Sequence, residues 1–132
     1  MNIETLIDKV TTQTVVKLKK SKLMNENQKS PFKKTEDVLR NYNKYKIAIA
    51  KDPEGTIKTQ KLINIIETAD ESIKDDIYYD IIPMFYVDGK TREEIAEYFD
   101  CDVKTITRNK RRLVNELKVV IFSDETIEEL FL

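Results

Sequence analysis

Between Thr91 and Leu117 the chain reads TREEIAEYFDCDVKTITRNKRRLVNEL, a run that spells out the start of one helix, a tight turn and the start of a second. Thr91 and Glu94 stand three apart, as in a capping box: the threonine hydroxyl accepts from the Glu94 amide while the carboxylate reaches back to the Thr91 amide. A helix begun there presents Ile95, Ala96 and Phe99 inward. Ala96 matters because two helices crossing steeply approach closely only over a small side chain. Phe99-Asp-Cys-Asp102 is the turn. Asp102 is a good N-cap for the second helix, and Cys101 is small enough to plug the angle between the two. Asp100 stands where such turns often carry Gly, and Asp tolerates a left-handed backbone better than most residues.

On a wheel at 100° per residue with Ile106 facing the core, Leu113 and Leu117 fall within roughly 20° of it and Val103 within about 60°. Lys104, Arg108, Arg111 and Asn115 fall within roughly 40° of the opposite pole, flanked by Thr105, Thr107 and Arg112. This face combines the groups that reading a duplex requires. Arg can donate two bonds to a guanine edge, Asn can pair with adenine, Thr methyls can touch thymine methyls, and further cations can hold phosphates. Residues near the start of such a helix reach deepest into the major groove, which makes Lys104, Thr105 and Arg108 the expected base readers. Lys110, Arg111 and Arg112 are expected to hold the backbone, and the amides near Thr91 and Arg92 to meet a phosphate.

The formal net charge of the 132-residue chain is only -1, but the charge is segregated. From Val103 to Lys118 six cations oppose Glu116 alone, and from Met1 to Lys34 eight lysines oppose three acids. The compensating acid lies between Glu67 and Asp80 and after Asp124. A polyanion feels the field within about a Debye length, ~8–10 Å, so the neutral total is a weak objection to binding one.

Two Gly, three Pro and no Trp among many Lys, Ile and Glu indicate an all-α protein, a helical bundle in one domain. One Cys and no His leave neither a disulfide framework nor a zinc site, and no cofactor is expected. The apolar runs are too short to span a bilayer and the N-terminus lacks a signal-peptide pattern, so a cytoplasmic protein is expected. Catalysis finds little support. Asp75 and Asp76, like Glu93 and Glu94, are adjacent and diverge around a helix, and Cys101 has no His partner.

Upstream, Ile3, Leu6, Ile7 and Val10 have helical spacing. Thr11–Leu23 reads as helix or extended arm, and Asn25–Pro31 as linker. Residues 1–34 are thus expected to form a basic arm and linker before a helical domain over 35–132. Thr35 is expected to cap a helix running to Lys51, with Val38, Leu39, Tyr42 and Ala48 or Ile49 on one side. A second helix spans roughly Thr56–Thr68, lined by Leu62, Ile63 and Ile66. Ile73, Ile77, Ile81 and Phe85 recur every four residues in a third, which Pro83 kinks or breaks. Tyr78, Tyr79 and Tyr86 are expected in the core with them. Val87–Lys90 is a loop, and Ser123 or Asp124 caps a last short helix bearing Ile127, Leu130 and Phe131, which either packs on the core or meets polymerase or a second copy.

From about Ile57 to Ile121 the pattern is similar to region 4 of bacterial sigma factors, the helical module that reads the -35 promoter element. KTREEIAEYFDCDVKTITRNKRRL carries the resemblance; Asn109 departs from it, the family having an aliphatic residue there. With KTEDVLRNYNKYKIAIA upstream, the chain resembles the ArpU and RinA type of phage late-gene transcription regulators. The resemblance implies a bacterial or prophage setting, action at the nucleoid, activation of structural or packaging genes, and RNA polymerase as a partner. A sigma-like factor, a phage small terminase subunit and a helical adaptor without DNA are the alternatives. A homodimer through the segments before Pro53 is expected, because one small module rarely supplies operator-level specificity.

Overall fold

A computed structural model describes residues 30–131, and every regular element among them is helical. The expectations for residues 1–29 lie outside the described residues. In chain order the elements are α1 (Pro31–Arg40), α2 (Tyr42–Lys51), α3 (Ile57–Glu71), a π-helical turn (Pro83–Val87), α4 (Arg92–Phe99), α5 (Val103–Ile121) and α6 (Asp124–Phe131).

The first helix starts earlier than its threonine suggests. Ser30 is the N-cap, its Oγ accepting from the Lys33 amide at 3.2 Å, and Pro31 occupies the first helical position. A Ser-Pro pair satisfies one orphan amide and removes another, which makes it the stronger start. Thr35 instead lies buried inside α1 and donates its hydroxyl to the Pro31 carbonyl at 2.8 Å. The helix expected to run unbroken to Lys51 is divided at Asn41, so α1 and α2 pack as separate segments. On α2 it is Ile49, and not Ala48, that packs against the core.

A second correction concerns Ser72–Asp80. The four-residue spacing of Ile73, Ile77 and Ile81 suggests a helix, yet this stretch is a chain of turns closed by bonds between residues three apart, such as Asp76 N to Ile73 O and Tyr79 N to Asp76 O. Short polar side chains divert the backbone. Asp76 Oδ1 accepts from the Tyr78 amide at 2.9 Å, and the Ser72 hydroxyl bonds back to Ala69 O. Ile73 and Ile81 stay buried, but Ile77 turns out to solvent, 82% exposed. Pro83 then opens the π-helical turn, which ends with the Asp88 amide on Pro83 O.

Two apolar clusters result. Leu39 of α1, Ile63, Ile66 and Ala69 of α3, Ile82, Tyr86, and Leu113, Val114, Leu117 and Ile121 of α5 form the larger. Ile81, Ile95, Ala96 and Ile106 form the smaller, with Phe99, Cys101 and Val103 packed on it. The adjacent Ile81 and Ile82 thus face different clusters, and α5, about 28 Å long at 1.5 Å per residue, spans both. Ser123 Oγ accepts from the Thr126 amide and so caps α6, which packs Ile127 fully inside; the side chains of Leu130 and Phe131 lie outside the described set.

The link from α1 to the rest is polar as well as apolar. Tyr86 in the π-helical turn donates to Glu36 Oε2 at 2.6 Å, and Arg40 lies 3.5 Å from the same oxygen and 5.4 Å over the Tyr86 ring. Burial first, and the bond to Glu36 second, push the Tyr86 phenol well above its ordinary range. A raised phenol contributes stability that is fully present below the unfolded value near 10 and is lost as pH rises above it. Tyr86→Phe should therefore cost about 1 kcal/mol near neutral pH. Measured by urea unfolding, the gap between wild type and variant should close within about one pH unit above 10 and then reverse, the slope approaching about 1.4 kcal/mol per unit.

Candidate nucleic-acid interface

The unit formed by α4, its turn and α5 rests on local bonds that the residues themselves dictate. Glu94 N donates to Thr91 Oγ1 and Thr91 N to Glu94 Oε1, each at 3.1 Å, completing the capping box and holding the Glu94 carboxyl below its ordinary range. At the other end Asp100 adopts φ 51° and ψ 51°. The Cys101 amide reaches Ala96 O at 3.0 Å and the Asp100 amide reaches Glu97 O at 3.2 Å, which is a Schellman cap with Asp in the position usual for Gly. Asp102 Oδ1 then accepts from the Lys104 amide at 2.7 Å and starts α5.

With the inner side of α5 locked into both clusters, Lys104, Arg108 and Arg111 are left exposed on its outer side, with Asn115, Thr105 and Thr107 half-buried beside them. Arg92, at the start of α4, joins this face from the neighbouring helix, Nη1 lying 3.3 Å from Thr107 Oγ1. Arg92, Val103, Lys104, Thr107, Arg108 and Arg111 together line an open depression of about 500 Å3. Among the described residues no carboxylate pairs with Lys104, Arg108, Arg111 or Arg92. The Thr91 amide is already held by Glu94, and the Arg92 guanidinium adds a charged donor to what this turn offers an anion.

Two cations grouped with this face are placed elsewhere. Arg112 makes a bidentate pair with Asp76 at 2.8 and 3.0 Å, lies 3.3 Å from Glu116, and is steadied by Asn109 Oδ1 at 3.2 Å. The hydrogen bonds from Arg112 hold the Asp76 carboxyl below its ordinary range. The polar Asn109 thereby has its reason: its Nδ2 donates to Thr105 O at 2.9 Å while its carbonyl orients Arg112.

Lys110 turns inward. Its side chain is 13% exposed, with Nζ 3.5 Å from Glu36 Oε2 and 4.3 Å above the Phe85 ring. Burial pushes its ammonium below the ordinary lysine range, and Glu36 opposes that shift. The wheel carried the signal, since Lys110 lies only about 40° from Ile106. Its basic neighbours obscured this.

No protein-family model matches the chain, no curated protein matches it significantly, and no solved structure does so. Among the described residues no helix is long and apolar enough to cross a membrane.

The left-handed Asp100 supplies a test of the turn. A non-Gly residue in this region costs about 1–2 kcal/mol, partly offset by the chain entropy that Gly loses on folding. Asp100→Gly should stabilise the protein by about 0.5–1 kcal/mol in urea unfolding, whereas Asp100→Val should destabilise it by at least about 1 kcal/mol.

Proposed function

We propose that this chain is a sequence-specific duplex-DNA-binding transcription regulator that lays α5 in the major groove. One observation carries the reading: the helix most deeply anchored on one side presents on the other exposed Lys104, Arg108 and Arg111, none of them ion-paired among the described residues, with Asn115 beside them. A reading head needs both properties. Its cations must be free to exchange water for base edges and phosphates, and the backbone beneath them must not yield.

Lys104, Thr105 and Arg108, nearest the helix start, are the base readers in this scheme, and Arg111, Arg92 and Thr107 grip phosphates. Arg112 supports the fold instead. The likeness of the Thr91–Leu113 pattern to sigma region 4, and of the chain to ArpU and RinA type regulators, favours an activator of phage or prophage late genes working beside host RNA polymerase. Two copies on half-sites about one helical turn apart, ~34–36 Å, would supply the specificity one module lacks. Sedimentation with and without DNA tests this last point, and a strict monomer in both removes it.

Selection of bound duplexes from a random pool should return a defined motif. On that motif Arg108→Gln should lose about 1–3 kcal/mol, roughly 5- to 150-fold in affinity, and relax the preference at one base pair. Arg112→Gln should leave affinity within about threefold while lowering stability by no more than about 1 kcal/mol, as expected of a half-exposed pair. If reversal of Lys104, Arg108 and Arg111 to Glu leaves duplex binding unchanged, the reading fails.

A further inference from the structure

The basic face does not end at α5. Ser30, Lys33, Arg92, Thr107, Arg111 and Asn115 border an open groove of about 510 Å3 between the first turn of α1 and the outer side of α5. Glu36, the acid in its wall, is already engaged by Lys110, Arg40 and the Tyr86 hydroxyl. Lys33, Arg92 and Arg111 make no ion pair among the described residues, so their charge is offered to whatever occupies the groove.

The next step rests on the reading of α5 as the helix in the major groove. That groove is about 12 Å wide and admits one helix, while packed helices stand ~8–10 Å apart between axes. Since α1 packs directly on α5, it stands too close to enter the groove beside it, and its first turn, which borders the outer side of α5, meets the sugar–phosphate strand that bounds the groove in this reading. We infer that the α1–α5 groove seats this strand, with Lys33, Arg92 and Arg111 holding its phosphates. α1 is then part of the DNA-binding surface, and the Lys110–Glu36 pair is the latch that keeps this wall at the right distance. Contacts of this kind carry no sequence preference; they set the register in which α5 meets the bases.

The test uses the full chain and two duplexes, one selected from a random pool by the wild type and one unrelated. Lys33→Gln, at an exposed position without an ion pair among the described residues, should leave the unfolding midpoint unchanged and weaken both duplexes by a similar factor, roughly fivefold at 0.15 M salt. The slope of log affinity against log salt should become shallower by about 0.9. The charge-conserving double substitution Glu36→Gln with Lys110→Gln, which releases the latch, should also weaken both duplexes. Wild-type affinity and slope in Lys33→Gln overturn the proposal, as does a gain in affinity in either variant, which would make α1 a cover over the face. A wild type that binds neither duplex nor anything from the pool removes the DNA reading itself, a separate outcome.

Discussion

The burial of one side of α5 is the interaction on which the rest of the molecule depends. Ile106 closes the small cluster around α4, while Leu113, Val114, Leu117 and Ile121 close the large one built from α1, α3 and the π-helical turn. Truncating any of the leucines or isoleucines among these to Ala would be expected to cost about 2–5 kcal/mol through lost burial and the void left behind. Both clusters share the one helix, so a shift at either end is transmitted to the outer face. The helix itself fixes the spacing of Lys104, Arg108 and Arg111, and the two clusters fix which way that face points.

Charge is handled differently on the two sides of the same helix. Arg112 and Lys110 are both drawn into the fold, the first by Asp76 and Glu116 near the surface, the second by Glu36 beneath aromatic rings. A half-buried lysine is costly unless it is paired, and here its partner also holds Tyr86 and Arg40. The acids that bring the chain's total charge close to zero are therefore not spread evenly against the bases. Several serve as internal ties, and the cations facing the open depression keep their charge.

How far the sequence could be read varied with the range of the interactions. The capping box at Thr91 and Glu94, the left-handed Asp100, the Asp102 cap and the buried stripe of Ile106, Leu113 and Leu117 are local, and each is where residue chemistry puts it. The start of α1 is equally local, but two signals compete there: Thr35 has the chemistry of a cap, and the Ser30-Pro31 pair outcompetes it. Ile77 shows the limit of periodicity. Its spacing matched a helix, but the side-chain bonds of Ser72 and Asp76 turned the backbone before the helix could continue.

The sequence by itself determined that the chain is helical, where α4 stops and α5 begins, and which stripe of α5 is apolar, because capping, turn chemistry and 3.6-residue spacing act within a few residues. Only the tertiary structure decided which cations of α5 are drawn into ion pairs. Asp76 meets Arg112 across 36 positions, and Glu36 meets Lys110 across a still longer separation. Partners so distant are chosen by how α1, the turns and α5 pack, and no local pattern records that choice.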